Sequence, residues 1–274
     1  MPREAVEPTA PRAPRRRRWP RYVLPTYTGL VIFYLCSPIF VMILFGFNHT
    51  RGRFNFAWQG FTLTWYRNLF AIPELTTALK NSVAIALIST LMATALGTMI
   101  ALALNRYRYR GRGTTSLVLF MNIAAPEVVL GASLLSLFVT LGLAQGFVTI
   151  LIAHVMFNIA YVAVTVRARL AGFDRSLEEA AQDLGADPWT TFRRVTLPLI
   201  FPGILAGGLL ALALSIDDFV ITYFVAGHTQ TFPLWVFGAT RLGVPPQVNV
   251  MGTLIFVFGV SLALLNVVMQ RKRT

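Results

Sequence analysis

The chain has 274 residues, 55% of them hydrophobic and only 13% charged, with a formal net charge of +13. Apolar sequence in that proportion, gathered into long blocks, excludes a soluble globular domain and marks an integral membrane protein. The basic excess does not point to nucleic acid, because the arginines sit in short clusters between apolar blocks, the pattern that orients spans in a bilayer. The lone cysteine, Cys36, permits no intrachain disulfide.

In chain order, residues 1–21 are rich in Pro and Arg, including Arg15 to Arg18, and lack apolar periodicity. They read as a disordered basic tail. The apolar run that follows, Val23–Phe47, is too long for the core of a cleaved export signal and ends in no small-x-small site, so it is expected to be a retained transmembrane helix. Five further runs follow, at about Leu79–Leu104, Ser116–Leu141, Phe147–Val166, Ile200–Phe224 and Val250–Met269. Each reaches the roughly 20 helical residues needed to cross a hydrocarbon core. The short connection from Leu141 to Gln145 predicts a tight hairpin between the third and fourth spans. With the N-terminus placed in the cytoplasm, nineteen of the 24 basic residues fall on the cytoplasmic side. The positive-inside rule therefore predicts an all-α polytopic membrane protein with six transmembrane helices and both termini cytoplasmic. The expected organisation is a basic tail at 1–21, a transmembrane domain at 22–270 with a polar cytoplasmic loop at 167–199, and a basic C-terminal tail at 271–274.

On the outer side, Asn48–Ala78 is aromatic, and Thr64 is positioned to cap a short interfacial helix. The last outer segment, Val225–Asn249, reads as a structured loop available to a partner or acting as a gate.

The polar loop has its own local grammar. Ser176-Leu177-Glu178-Glu179 has the form of a capping box, which predicts a short helix to Leu184 that stops at Gly185. Asp187-Pro188 then starts a second helix, expected to run to about Val195 before Leu197-Pro198 turns the chain toward the bilayer.

No enzyme constellation is present. Neither lysine, Lys80 or Lys272, ends a phosphate-binding loop, so nucleotide binding by a P-loop is excluded. His49, His154 and His228 have no metal-ligand spacing, and His154 reads as a packed or hydrogen-bonded membrane histidine. Whatever energy drives this protein must lie on another chain.

Three carboxylates fall within the expected bilayer. Glu127 lies near the middle of the third span, and Asp217 and Asp218 lie in the outer half of the fifth. Charged groups there are costly and face protein or a water-filled path. Ser215, Asp218 and Thr222 form a polar stripe at helical spacing, so Asp218 is the expected pathway residue and Asp217 the one turned toward a loop or partner subunit. Phe219 and Tyr223, four residues apart, stand beside the stripe. Their faces suit an organic cation, although the same pair serves equally as helix packing. Gly203 and Gly207 permit close approach of another helix.

The loop then becomes recognisable. Glu179-Ala180-Ala181, Gly185, and Val195-x-Leu197-Pro198 resemble, in type and spacing, the coupling loop of bacterial ABC importer permeases. The resemblance runs from about Arg21 to Gln270. Within it, Ser-x-Asp217-Asp218-Phe219, the Tyr223–Val225 segment, Arg241–Asn249 and Pro126-Glu127 are similar to the second permease subunit of spermidine/putrescine importers. The resemblance implies a type I importer permease in the bacterial inner membrane, forming half of a pathway for polyamines or another small cation by alternating access. It implies Glu179, Ala180, Ala181, Gly185, Leu197 and Pro198 as the dock for the ATPase, with Glu179 either touching it or only capping. The implied partners are a homologous permease subunit, two cytoplasmic ABC ATPase subunits that use ATP and Mg, and an extracellular substrate-binding protein. The chain itself would carry no cofactor, no metal and no catalytic residue.

Overall fold

The computed structural model describes residues 22–271, apart from 51 and 53. The expected basic tails at 1–21 and beyond Arg271 lie outside the described residues. Among those described, the chain is helical, with only an isolated bridge between Asn48 and Phe61. Helix α1 (Val23–Phe45) is followed by the short α2 (Thr64–Arg67) and the long α3 (Pro73–Arg106). Next come α4 (Arg112–Ala124), α5 (Glu127–Thr140) and α6 (Phe147–Leu170). The polar loop forms α7 (Ser176–Asp183) and α8 (Pro188–Thr191), and a π-helical turn at Phe192–Thr196 leads into α9 (Leu197–Asp217). The chain ends with α10 (Val220–Val225), α11 (Phe232–Ala239) and α12 (Pro246–Arg271). Five helical stretches are long and apolar enough to cross a membrane, and the bent pair α4–α5 makes a sixth.

The core is the bundle of α3, α6 and α9. Small residues on α3 (Ala86, Ser89, Ala93, Ala101) are buried, letting the three backbones approach closely. Val162 of α6 sits between two glycines. A Cβ on Gly97 of α3 would come within 2.8 Å of the Val162 Cβ, and one on Gly207 of α9 within 3.4 Å of its Cα. The Gly203/Gly207 pair thus faces α6, with Gly203 against Arg169. Helix α1 contributes no buried residue and packs along α12 at the edge, leaving most of its apolar surface outward.

Four expectations need correction. The third span is not straight: α4 and α5 meet at 110° across Ala125-Pro126, so Glu127 is the first residue of a new helix instead of mid-span. Pro126 lacks an N–H and disfavours helix at Ala125, which is extended (ψ 137°). The hairpin between the third and fourth spans is loose, because α5 leans chiefly on α10. Ser176 does not cap α7; the Asp174 carboxylate accepts the Ser176 N–H at 3.0 Å instead. Finally, Leu197-Pro198 does not turn the chain, since helical structure continues in one span from Pro188 to Asp217. The π turn immediately before Leu197 absorbs the irregularity.

Gly185 does end the first short helix, in the left-handed region at φ +89°, with the Ala186 N–H returning to the Ala181 carbonyl at 3.0 Å. Asp187 caps α8, accepting the N–H groups of Trp189 and Thr190 and, at 2.5 Å, the Thr190 hydroxyl. These bonds, the Thr190 hydroxyl foremost, hold the Asp187 carboxyl below its ordinary range.

Candidate functional site

The fifth span breaks where the two aspartates sit. Helix α9 ends at Asp217, Asp218 is extended (ψ 119°), and α10 starts at Val220. The break frees backbone donors inside an apolar bundle, and Asp218 satisfies them. Its Oδ2 accepts the Thr222 N–H at 2.8 Å and the Thr222 hydroxyl at 2.6 Å, and its Oδ1 accepts the Ile221 N–H at 3.4 Å. A carboxylate at the start of a helix also meets the favourable end of the helix dipole.

Behind this cap lies a buried polar chain that crosses the core. His154 of α6 has Nε2 2.9 Å from Thr222 Oγ1 and 3.3 Å from Asp218 Oδ2, and Nδ1 2.6 Å from Ser215 Oγ. Ser215 continues to Ser89 of α3 at 3.0 Å. The side chains of His154 and Asp218 are 3% and 6% exposed. The expected stripe of Ser215, Asp218 and Thr222 is therefore real as a cluster, but it is turned into the protein. His154, read from the sequence only as a packed histidine, is the residue that joins it. Two polar groups in one apolar environment, each needing a partner, were the signal for that pairing.

Asp217 takes the opposite direction. It is exposed and sits at the end of a cavity of about 600 Å³ between α9 and α12, walled by Leu209, Ala213, Ile216, Phe256 and Gly259. Asp218, expected to line a pathway, is thus turned into the protein to cap α10, while the exposed Asp217 has the outward position expected of a residue that meets a loop or a partner. Asp217 lies within electrostatic reach of Asp218 and of Glu127, which is itself exposed at the α4–α5 break. Neither Asp217 nor Glu127 is in an ion pair among the described residues. Tyr223, 60% exposed, and Phe237 flank Phe219, with ring centroids 5.7 and 4.7 Å from it. The arrangement offers two carboxylates without an ion pair at two helix breaks, and Phe219, two residues beyond Asp217 in the chain, belongs to a cluster of aromatic faces.

At the opposite end of the bundle, α7 and α8 form the cross-piece. Ala180 and Gly185 are exposed on it and Ala181 is half-buried, whereas Leu197 and Pro198 open α9. Glu178, which sequence spacing did not single out, is bonded to Arg106 and to Thr196.

A polytopic helical bundle with a polar cross-piece and acids at broken spans is the architecture of a membrane permease. The family model for the inner membrane component of binding-protein-dependent transport systems matches residues 93–272, and the chain belongs to that family. It is a multi-pass inner-membrane transport subunit. It is 39% identical to the spermidine/putrescine transport system permease protein PotC of Haemophilus influenzae over 244 residues, 89% of this chain and 94% of that one. It is 40% identical to the putrescine transport system permease protein PotI of Escherichia coli over 230 residues, 81% of each chain. A crystal structure of a bacterial ABC transporter for alginate import has a chain of the same fold, with a TM-score of 0.63 at 19% identity, covering 92% of this chain and 96% of that one.

Proposed function

We propose that this chain is one permease of an ATP-driven importer for polyamines, pairing with a homologous permease to enclose the pathway. The observation that carries this reading is the pair of exposed carboxylates, Asp217 and Glu127, in no ion pair among the described residues, with the Phe219–Tyr223–Phe237 aromatic cluster starting two residues after Asp217. An elongated polycation carries ammonium groups at intervals along an apolar chain. Two separated acids would hold its charges, and aromatic faces would take an ammonium through cation–π attraction. The similarity to permeases of spermidine/putrescine and putrescine systems supports the same substrate class.

In this reading the α7–α8 cross-piece faces the cytoplasm, and Glu179, Ala180, Ala181 and Gly185 meet one of two ABC ATPase subunits that bind ATP and Mg. The loop carrying α11 faces outward and meets an extracellular binding protein. Nucleotide-driven movement of the cross-piece exposes the pathway acids alternately to the two sides, and the substrate shifts that equilibrium only through different affinities for the two states. The test is ATPase activity of the reconstituted complex with its binding protein. Stimulation by spermidine or putrescine is expected. A response confined to another small cation would move the specificity, and a response confined to an uncharged or anionic solute would overturn the reading.

A further inference from the structure

Transport by such a machine requires that motion at the cross-piece reach the far end of the bundle. The structure offers three core helices for the task, and they are not equivalent. Helix α9 is continuous with α8, but it is interrupted by the π turn and by Pro202, and it breaks at Asp218. Helix α6 is unbroken and leads through residues 171–175 into α7, but the side-chain bond at its cross-piece end, Arg169 donating to the Leu199 carbonyl at 3.3 Å, goes to α9. Helix α3 has 34 residues with no internal proline, about 51 Å of stiff rod.

Both ends of α3 are fastened. At the cross-piece end, Arg106 bonds to Glu178 of α7 and donates to Thr196 Oγ1 of the π turn at 3.0 Å, while the Thr196 hydroxyl donates to the same Glu178 carboxylate. Arg175, just before α7, donates to the Asn105 carbonyl at 2.7 Å. Thr196 is fully buried, and the Arg106 and Glu178 side chains are mostly so, which limits screening by water and salt. At the far end, Asn81 donates to the Gln230 carbonyl and Ser82 accepts the Phe232 N–H, each at 2.9 Å. These two bonds hold the segment that leads into α11.

We infer that Glu178, Arg106 and Thr196 form a mechanical joint by which α7 moves α3, and that α3 carries the motion to the Gln230–Phe232 segment. Glu178 and Arg106 are positioning residues: they touch neither substrate nor nucleotide. The assignment rests on the proposed docking of the ATPase at α7. It places the coupling function on the acid beside the motif glutamate, with Glu179 left to the ATPase face.

The experiment uses the full reconstituted complex with Cys36 replaced by Ser and Gln230 by Cys, labelled by a membrane-impermeant maleimide with and without ATP plus vanadate. In this parent, nucleotide trapping is expected to change the labelling rate. With Glu178→Gln added, the ATPase subunits are expected to co-purify normally while the effect of trapping falls by about fivefold or more. In a second variant, Arg106→Cys with Glu178→Cys, a short membrane-impermeant bis-methanethiosulfonate, applied only from the cross-piece side so that the cysteine at 230 stays free, is expected to restore the effect that the unlinked pair has lost. An undiminished effect in Glu178→Gln, or failure of the crosslinked pair to recover, overturns the joint. Loss of the ATPase subunits from Glu178→Gln alone also overturns it, by making Glu178 a docking contact. Failure of the docking reading looks different: bulky residues at Ala180 and Ala181 would then leave co-purification intact.

Discussion

His154 Nε2 stands 3.3 Å from Asp218 Oδ2, and the same nitrogen is 2.9 Å from the hydroxyl of Thr222, whose backbone N–H Asp218 caps. The three groups hold α6 to the broken end of the fifth span. Asp218→Ala takes the acceptor from the Thr222 and Ile221 N–H groups, and His154→Ala takes from Thr222, Ser215 and Asp218 the ring that joins them, each with an expected cost of about 1–3 kcal/mol. The double variant should cost less than the sum of the two, by about 0.5–3 kcal/mol, because both truncations remove the one contact between the residues and disturb the shared Thr222 hydroxyl. Thermal unfolding of the detergent-solubilised chain measures all three. Additive losses would mean that the pair is not coupled.

The two exposed acids, Asp217 and Glu127, proposed to line the pathway, should behave in the opposite way. Asp217 and Glu127 are exposed and in no ion pair among the described residues, so Asp217→Asn and Glu127→Gln are expected to leave thermal stability nearly unchanged. Each should raise the half-saturating concentration for spermidine uptake by about tenfold, the equivalent of roughly 1.4 kcal/mol of lost attraction. Uptake kinetics in proteoliposomes check this. Unchanged kinetics in both variants would assign the acids to a contact with another subunit.

Packing of the core allows a third test. A methyl group at Gly97 would press on the Val162 Cβ at 2.8 Å and the Ile159 carbonyl oxygen at 2.9 Å, and neither is the end of a flexible chain. Gly97→Ala is therefore expected to destabilise the α3–α6 crossing by about 1–3 kcal/mol. At Gly29, where nothing lies within 4 Å, the same change should be tolerated. A comparison of melting temperatures for the two variants decides it.

The cap at Asp187 carries a pH dependence whose sign is fixed. Its carboxyl titrates below its ordinary range because the Thr190 hydroxyl and backbone N–H groups bond the ionised form. The cap's contribution is thus complete above the ordinary carboxylate range and is lost as pH falls through the depressed native value. Hydrogen-exchange protection of the Trp189 and Thr190 amides should decline only in strong acid, and Asp187→Asn should remove that decline. An identical acid profile in the variant would show that another group controls α8.

Long apolar blocks and the arginine clusters made the spans legible, because hydropathy and length are what a bilayer selects. Gly185 and Asp187-Pro188 were legible too, since each solves a local backbone problem that few residue types can solve. The break at Ala125-Pro126 was not, because a proline inside an apolar run is compatible with either a tolerated kink or a turn of 110°. Only the packing of α5 on α10 decides between them. The inward turn of Asp218 escaped for a related reason. An uninterrupted helix was the frame for the stripe at Ser215, Asp218 and Thr222, and once that helix stops at Asp217 the directions of its next side chains change. His154 lies 64 positions from Asp218 in the chain, and no periodicity relates residues at that distance.

The π turn at Phe192–Thr196 has a consequence for the register of the fifth span. A π turn behaves as one residue added to an α-helix and absorbed locally, so the faces presented before and after it keep their directions. Removing a single residue there, such as Val195, should let an ordinary α-helix close the gap while Asp217 still points to its cleft and Gly207 still meets Val162. Removing one residue farther along, beyond Gly203, should instead swing everything toward Asp218 by about 100° and detach the span from its neighbours. The fifth span thus has, at this turn, a place where its length can change without changing which way it looks.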